Sequence, residues 1–338
     1  MSLGEVSTIL VWGAATAYAI ALVAFSIDLA HLADRSARPA ADAAPAAADV
    51  VRASAAASAR GSARGSAGAS AAAPGIVPEV RRGARRAVGI AMATTVLGAA
   101  LQAVGLLLRG LAAGRVPWAN MYEFTLVGSF VAVGTFLVLC SRRDLRFLGT
   151  IVVGLSVIAL GLGLTAFYIP ADPVEPALQS YWLVIHVSIA TIATGLLTVA
   201  FAASVLQLLK DSRDGGSPML ASSRWRSLDV LPSPRELEAL SFRITAVGFV
   251  LWTFTVMAGA IWAEHAWGRY WGWDPKEVWS FVVWVVYAAY LHARTTRGWS
   301  GRRAAWFVLV GYATVIFNFT GVNLFFQGLH SYSGLPTE

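Results

Sequence analysis

The chain has 338 residues, of which 57% are hydrophobic and 13% are charged, and its formal net charge is +7. Ordinary soluble domains carry about 25% charged residues, so this composition, with a mean hydropathy of +0.62, excludes a soluble globular protein. We therefore expect an all-α, polytopic membrane protein. Its positive charge is expected to face anionic membrane lipid, so we infer no nucleic-acid partner from it.

Apolar runs of about 20 residues predict membrane-spanning helices, because a helix of that length crosses the hydrocarbon core. Eight such runs predict a helical bundle of about eight transmembrane helices. They cover residues 8–30, 86–108, 121–140, 147–169, 183–209, 241–263, 277–293 and 304–326. The first run has no Lys or Arg before it, so we expect a retained helix and no cleaved signal peptide.

The basic residues predict the orientation of this bundle. Of the 26 Lys and Arg residues, 22 lie in segments that share one side of the membrane in an eight-helix topology. The positive-inside rule makes that side cytoplasmic. Both termini and the connection between the sixth and seventh runs are therefore expected outside.

One segment of low complexity divides the chain. Residues 32–85 are rich in Ala, Ser and Arg, and residues 36–80 contain no aromatic side chain. Such a segment buries too little apolar surface to offset the entropy of ordering it. We expect a disordered cytoplasmic linker between an N-terminal transmembrane helix, residues 1–31, and a seven-helix domain, residues 86–338.

A tryptophan-rich connection follows the sixth run. Five tryptophans fall within residues 262–280, and Gly268 and Gly272 between them allow sharp turns of the backbone. Asp274 has the position of an N-cap, with a proline after it and Glu277 at the third position of a capping box. The pattern predicts a loop followed by a helix start. Tryptophans of a membrane interface explain two or three of the five.

This stretch, WGRYWGWDPKEVWS at residues 267–280, resembles the WWD signature of haem-handling proteins of cytochrome c maturation. The similarity extends over residues 117–332 and includes NMYE at 120–123 and WLVIH at 182–186. It is strongest to the CcsA/ResC membrane subunit, which is called CcsB in some bacteria. Val278 stands where that family has threonine. The resemblance implies a cytochrome c assembly domain with an external WWD loop at residues 262–280.

The resemblance implies haem b, bound non-covalently, as a substrate in transit. Haem is a flat apolar disc with two anionic propionates, so indoles suit its face or edge and cations suit the propionates. The candidate haem-binding residues are Glu123, Trp267, Arg269, Trp271, Gly272, Trp273, Asp274 and Lys276. Glu123 has two further interpretations: it stabilises a helix N-terminus or pairs with a basic group.

Two histidines flank the WWD loop in sequence. Imidazole is a strong ligand of haem iron, and a bis-histidine site needs two rings from separate segments. His186 and His330 both belong near the outer face and come from different segments. An isolated histidine at a helix end is otherwise typical of a hydrogen-bonded interfacial residue. The outer histidines of the family correspond in position to these two, which implies that they are the axial ligands.

His292 lies deeper in the predicted membrane. It follows Asp274 by 18 residues, which places it about 27 Å further along a helix at about 1.5 Å per residue. It resembles an intramembrane histidine of the family that ligates haem on its way out, so it is the third candidate metal ligand. The alternative is a histidine that reaches the inner headgroups beside Arg294. His31 or a partner subunit remains open as the second inner ligand.

The implied function is that of a multi-pass subunit of a cytochrome c haem lyase in the bacterial plasma membrane, with an extracytoplasmic active face. It would carry haem outward and present it for thioether attachment to the Cys-x-x-Cys-His of apocytochrome c. As an enzyme, a cytochrome c synthase, it would act with a CcsB/ResB-type subunit and thiol-reducing thioredoxin-like proteins. Cys140, the only cysteine, excludes a redox pair in the chain itself.

Two alternatives stay open. The chain is a haem exporter or chaperone similar to the CcmC-type proteins, and a partner makes the covalent bond. Alternatively, it is a bis-haem electron-transfer subunit, although histidines at loop edges do not match the paired histidines of such four-helix cores.

Overall fold

The computed structural model describes residues 1–37, 78–171 and 180–330, with side chains for residues 1–33, 86–171 and 180–330. These ranges contain helices and no strand, which confirms the all-α fold. The α-helices are α1 (Leu3–Ala37), α2 (Pro78–Ala113), α3 (Met121–Arg142), α4 (Gly149–Thr165), α5 (Tyr181–Asp214), α6 (Pro234–Trp267), α7 (Pro275–Thr296), α8 (Arg302–Ile316) and α9 (Val322–Phe325). A π-helical turn, Phe317–Gly321, joins the last two.

Seven helical stretches in the described part of the chain are long and apolar enough to cross a membrane, which confirms a polytopic helical bundle. They are Leu3–Ala33, Arg86–Ala113, Met121–Arg142, Arg146–Thr165, Tyr181–Asp214, Pro234–Trp267 and Arg302–Phe325. The remaining predicted span, 277–293, forms α7, whose tryptophans, tyrosines, His292 and Arg294 lower its hydropathy. The count of eight spans and the side of each terminus remain predictions.

The helices next to the predicted linker are longer than expected. Helix α1 continues to Ala37, past the predicted end at residue 31, and α2 begins at Pro78, inside the predicted linker 32–85. Alanine and arginine favour helix, so polar turns extend each apolar span. Residues 38–77, on which the expectation of disorder depends, lie outside the described residues.

Helix α5 lies at the centre of the bundle. It forms a long antiparallel pair with α6 and also packs against α3 and α8, while α1 and α2 form a second long pair. Small polar residues allow close approach: the hydroxyls of Ser204 and Ser241 are 2.8 Å apart between α5 and α6. The α5–α6 pair thereby fixes the relative positions of the segments that carry His186 and the WWD loop.

A buried ion-pair cluster holds the end of the bundle at which the WWD loop lies. Glu123, in the first turn of α3, is fully buried and accepts hydrogen bonds from Arg109 at 2.9 Å and Arg115 at 2.6 Å. Arg109 also donates to the carbonyl oxygens of Ile169 and Pro170, at 2.7 and 3.0 Å. The end of α2, the start of α3 and the segment after α4 are thus tied together. The prediction that Glu123 pairs with a basic group is confirmed.

Candidate functional site

The tryptophan-rich connection is shorter than predicted. Helix α6 continues to Trp267 and α7 begins at Pro275, so the loop covers residues 268–274 and not 262–280. Nothing between residues 262 and 267 interrupts a helix, and Gly268 ends α6 with φ of +70°, a conformation that glycine adopts readily.

Glu277 organises this loop from the first turn of α7. Its carboxylate accepts hydrogen bonds from the backbone N–H groups of Asp274, at 3.0 Å, and Gly272, at 2.8 Å. Asp274 caps the helix, accepting from the N–H of Lys276, so the predicted capping box is confirmed. The guanidinium of Arg269 is 3.1 Å from Glu277 and occupies the place of any side chain at Gly272. The loop is therefore a closed hydrogen-bonded unit.

Trp273 has an unusual backbone conformation in this loop. With φ of 61°, it is the one residue other than glycine with positive φ in the described ranges. Such a conformation costs about 1–3 kcal/mol and is concentrated at functional sites. Its side chain is 75% exposed and meets Trp271 edge to face at 5.9 Å. The fold thus holds an apolar ring at the surface, where it is available to a ligand or to an apolar partner.

Residues 326–330, here called the C-terminal segment, contact the loop through Asp274. The N–H of Leu329 donates to Oδ1 of Asp274 at 2.6 Å, and Nδ1 of His330 is 2.7 Å from Oδ2. Burial raises the pKa of the Asp274 carboxyl, but the hydrogen bond and charge of His330, with the N–H groups of Leu329 and Lys276, outweigh it and hold that pKa below its ordinary value. An ionised carboxylate only accepts hydrogen bonds, so Nδ1 of His330 carries a proton.

His186 is held against α6 on the neighbouring helix α5. Its Nδ1 is 2.9 Å from the carbonyl oxygen of Thr255, which also only accepts, so this Nδ1 is protonated as well. A methyl group at Gly259 would lie 2.8 Å from Cε1 of His186, so glycine lets the imidazole lie on the helix backbone. The ring stacks on Trp262, with centroids 6.0 Å apart, and the same indole meets His330 at 5.4 Å. Both histidines therefore contact one indole.

His186, His330 and Lys276 line one cavity between helices α3 to α8, with a volume of about 260 Å³. This is just below the range of about 300–1,000 Å³ that is typical of small-molecule sites. Much of the wall is apolar. Besides the two imidazoles and Lys276, its polar part includes hydroxyl groups: Thr125, Ser129, Ser156, Thr191, Thr194, Thr198, Thr255, Ser280 and Tyr312. The Nε2 atom of neither imidazole is hydrogen-bonded to another described residue.

Lys276 brings an amino group into this cavity, and burial lowers the pKa of that group to about 7. Its Nζ donates to the carbonyl oxygen of Asn318 at 2.8 Å, and no carboxylate of the described chain lies within ion-pair distance of it. Asn318 belongs to the π-helical turn, and its buried Oδ1 has no hydrogen-bond partner in the described ranges. Single π-turns are frequent at functional sites. The cavity therefore offers two imidazoles, the amino group of Lys276 and a buried amide oxygen.

Other predicted haem-binding residues lie around the cavity and not in its wall. Arg269 is paired with Glu277 and lies over the ring of Trp267, 5.8 Å from its centroid. Trp267 in turn contacts His330 at 4.9 Å. The predicted residues outside the wall are Glu123, Trp267, Arg269, Trp271, Gly272, Trp273 and Asp274.

His292 lies towards the opposite end of α7 from the WWD loop. It is exposed, on the helix face that also exposes Phe281 and Val285. His31 belongs to α1, which makes no extensive contact with α7. The structure thus separates His292 from the outer histidines, as the sequence predicted, and gives no support to a pairing with His31.

Sequence reasoning missed three residues that orient His186: Thr255, Gly259 and Trp262. They follow one another at positions i, i+4 and i+7 of α6 and therefore share one face of that helix. This spacing is the sequence signal that could have identified them. His265, expected in a loop, lies instead in the last turn of α6, with Nδ1 2.9 Å from the carbonyl oxygen of Ile261.

Comparison with known proteins decides the family. A family model described as "Cytochrome C assembly protein" matches residues 118–330. The cytochrome c biogenesis protein CcsA of Synechococcus elongatus is 36% identical over 288 residues, covering 72% of this chain and 86% of that protein. The chain belongs to the CcsA family. Membership confirms the resemblance drawn from the WWD signature and assigns the chain to cytochrome c biogenesis.

Other relatives extend this comparison. CcsA of Chlamydomonas reinhardtii is 36% identical over 235 residues, and CcsA of Synechococcus sp. CC9605 is 37% identical over 252. The alignments cover 67% of this chain in both cases, and 64% and 81% of the relatives. Among solved structures, the cytochrome c haem lyase CcmF has a similar fold, with a TM-score of 0.54 at 18% identity over 94% of this chain. The chain spans 47% of that lyase.

Proposed function

We propose that this protein holds haem b non-covalently, as a substrate in transit, between His186 and His330. It presents the haem for thioether attachment to the Cys-x-x-Cys-His of apocytochrome c. One observation carries the proposal: the two imidazoles line one cavity, contact the indole of Trp262 and have Nδ1 engaged and Nε2 available. A bis-histidine site needs rings from separate segments, and α5 and the C-terminal segment supply them.

The remaining donors fit the charge and shape of haem. Lys276 is the cation suited to a propionate, because Arg269 is already paired with Glu277. The apolar walls suit the macrocycle, and a cavity of about 260 Å³ encloses only part of so large a disc. The rest would extend outside the cavity, and Trp271 and Trp273 of the neighbouring loop are the indoles that would be available to cover it.

Attachment makes modest chemical demands on this chain. Each cysteine thiol adds across a haem vinyl group: a carbon–sulfur bond forms, the thiol hydrogen passes to the other vinyl carbon, and no electrons are gained or lost. Reduced thiols, reduced iron and orientation are required, and orientation is what the protein supplies. In this proposal His186 and His330 bind the iron. Lys276 donates to the carbonyl oxygen of Asn318, and the Tyr312 hydroxyl is hydrogen-bonded to Thr198. We therefore assign these side chains to positioning the haem and not to proton transfer.

His292 is exposed, so another subunit could reach the same haem iron and supply its second ligand. A CcsB/ResB-type protein against this face of α7 would supply the second ligand to haem on its way to the outer site. Thioredoxin-like proteins would keep the apocytochrome thiols reduced. The outer site then lies on the extracytoplasmic face of the bacterial plasma membrane.

Reconstitution separates a lyase subunit from a protein that only delivers haem. The purified chain is combined with its CcsB/ResB-type partner, haem, a thiol reductant and an apocytochrome peptide, and covalent haem is measured by mass spectrometry. We expect His186→Ala and His330→Ala to lower the yield of thioether, and His265→Ala, outside the cavity wall, to leave it unchanged. Attachment by the partner that is indifferent to His186 and His330 would contradict the proposal and favour delivery.

A further inference from the structure

We propose that Asp274 is a positioning residue for His330, and that it makes His330 the stronger and His186 the weaker of two unequal axial ligands. The inference rests on the proposed function. It assigns to Asp274 a role distinct from direct contact with haem.

The carboxylate of Asp274 has a fixed position. Its side chain is 4% exposed; Oδ1 accepts from the N–H of Leu329, and Oδ2 accepts from the N–H of Lys276 and contacts Nδ1 of His330. A side chain at Gly328 would overlap Oδ1, so glycine is what lets the C-terminal segment approach. The same carboxylate thus caps α7 and sets the direction of the imidazole.

The two histidines have partners of different charge. Nδ1 of His330 donates to a carboxylate, whereas Nδ1 of His186 donates to the neutral carbonyl of Thr255. Hydrogen bonds to an ionised acceptor are about twice as strong as neutral ones. A carboxylate on the far nitrogen also raises the basicity of a metal-ligating histidine and fixes its tautomer. His330 is therefore the stronger donor to iron, and His186 is the ligand that an incoming group displaces first.

The substitution Asp274→Asn tests this effect. Asparagine is as good an N-cap as aspartate and has the same shape. With its one oxygen towards Lys276 and His330, the helix start is kept, while the charge beside His330 and the acceptor of the Leu329 N–H are removed. In the haem-loaded protein we expect the midpoint potential of the iron to become more positive, because a less basic ligand stabilises the ferric state less. We also expect haem affinity to fall about 10- to 100-fold, the usual cost of losing such an outer partner.

Glu277→Gln is the matched control, because it alters the same capping box without touching His330. We expect its potential to stay near that of the unmodified protein. An equal shift in both variants would assign the effect to loop integrity and overturn the inference. If Asp274→Asn retains too little haem for titration while Glu277→Gln retains it, the selective loss supports the inference.

The role of Asp274 and the haem site itself can be tested separately. An unchanged potential and affinity in Asp274→Asn, together with spectra that do change in His330→Ala, would overturn the role of Asp274 alone. Spectra that change in neither His186→Ala nor His330→Ala would overturn the proposed haem site itself.

Discussion

His186 and Trp262 stack with their ring planes 9° apart, and Trp262 meets His330 edge to face at 5.4 Å. The indole is only 2% exposed and belongs to α6. Trp262 therefore sets the relative positions of two imidazoles that belong to two other segments of the chain.

Replacing this shared indole tests its role. An aromatic pair contributes about 0.5–1.5 kcal/mol beyond burial, and Trp262→Leu removes three such contacts, those with His186, His330 and Trp267. We expect roughly tenfold weaker haem affinity, measured by titration in detergent and followed in the Soret band. Trp306→Leu is the control, because Trp306 is 55% exposed on α8. Equal affinities in the two variants would show that Trp262 does not orient the ligands.

Gly259→Ala tests the packing of the His186 ring against the backbone of α6. The added methyl group would lie 2.8 Å from Cε1 of the imidazole, so the ring must shift, at a cost of about 1–3 kcal/mol for overpacking. We expect a haem affinity lower by about tenfold. The control is Gly161→Ala on α4. An added methyl group there would have no heavy atom of another element within 4 Å, so we expect no change in haem affinity. An unchanged haem affinity in Gly259→Ala would mean that His186 binds haem from a position away from α6.

Local spacing was sufficient to predict some features of this site. The capping box of Asp274 and Glu277 depends on residues three apart and was correctly predicted. The end of the preceding helix was not, because the tryptophans suggested a loop although nothing before Gly268 interrupts the helix. The contact of His186 with Thr255 joins residues 69 apart, and no local pattern specifies it. The grouping of His186 with His330 came from the family resemblance.

Lys276→Met tests the propionate assignment. The substitution removes the charge but keeps most of the side-chain volume, and a hydrogen bond to a charged group contributes about 1.5–3 kcal/mol. We expect haem affinity to fall tenfold or more, and the loss to be small for haem dimethyl ester, which lacks the negative charges. Titrations with the two ligands provide the comparison. An equal loss for both would mean that Lys276 acts through shape and not through charge.

The buried cluster at Glu123 predicts a large effect on stability. Glu123→Gln leaves Arg109, which is 1% exposed, without its countercharge, and breaking a buried pair costs about 3–5 kcal/mol. The free energy of unfolding in detergent should fall by about that amount. Asp144→Asn disrupts an exposed pair with Arg146 and should change it by less than about 1 kcal/mol. Similar effects for the two would mean that the Glu123 cluster is not a structural tie.

The absorption spectrum of the purified, haem-loaded chain shows directly whether His186 and His330 bind the haem iron. The unmodified protein is compared with His186→Ala, His330→Ala and His265→Ala, each before and after added imidazole. We expect low-spin bands that weaken in the first two variants, recover with imidazole, and stay intact in the third. Identical spectra in all four proteins would contradict a haem site at His186 and His330.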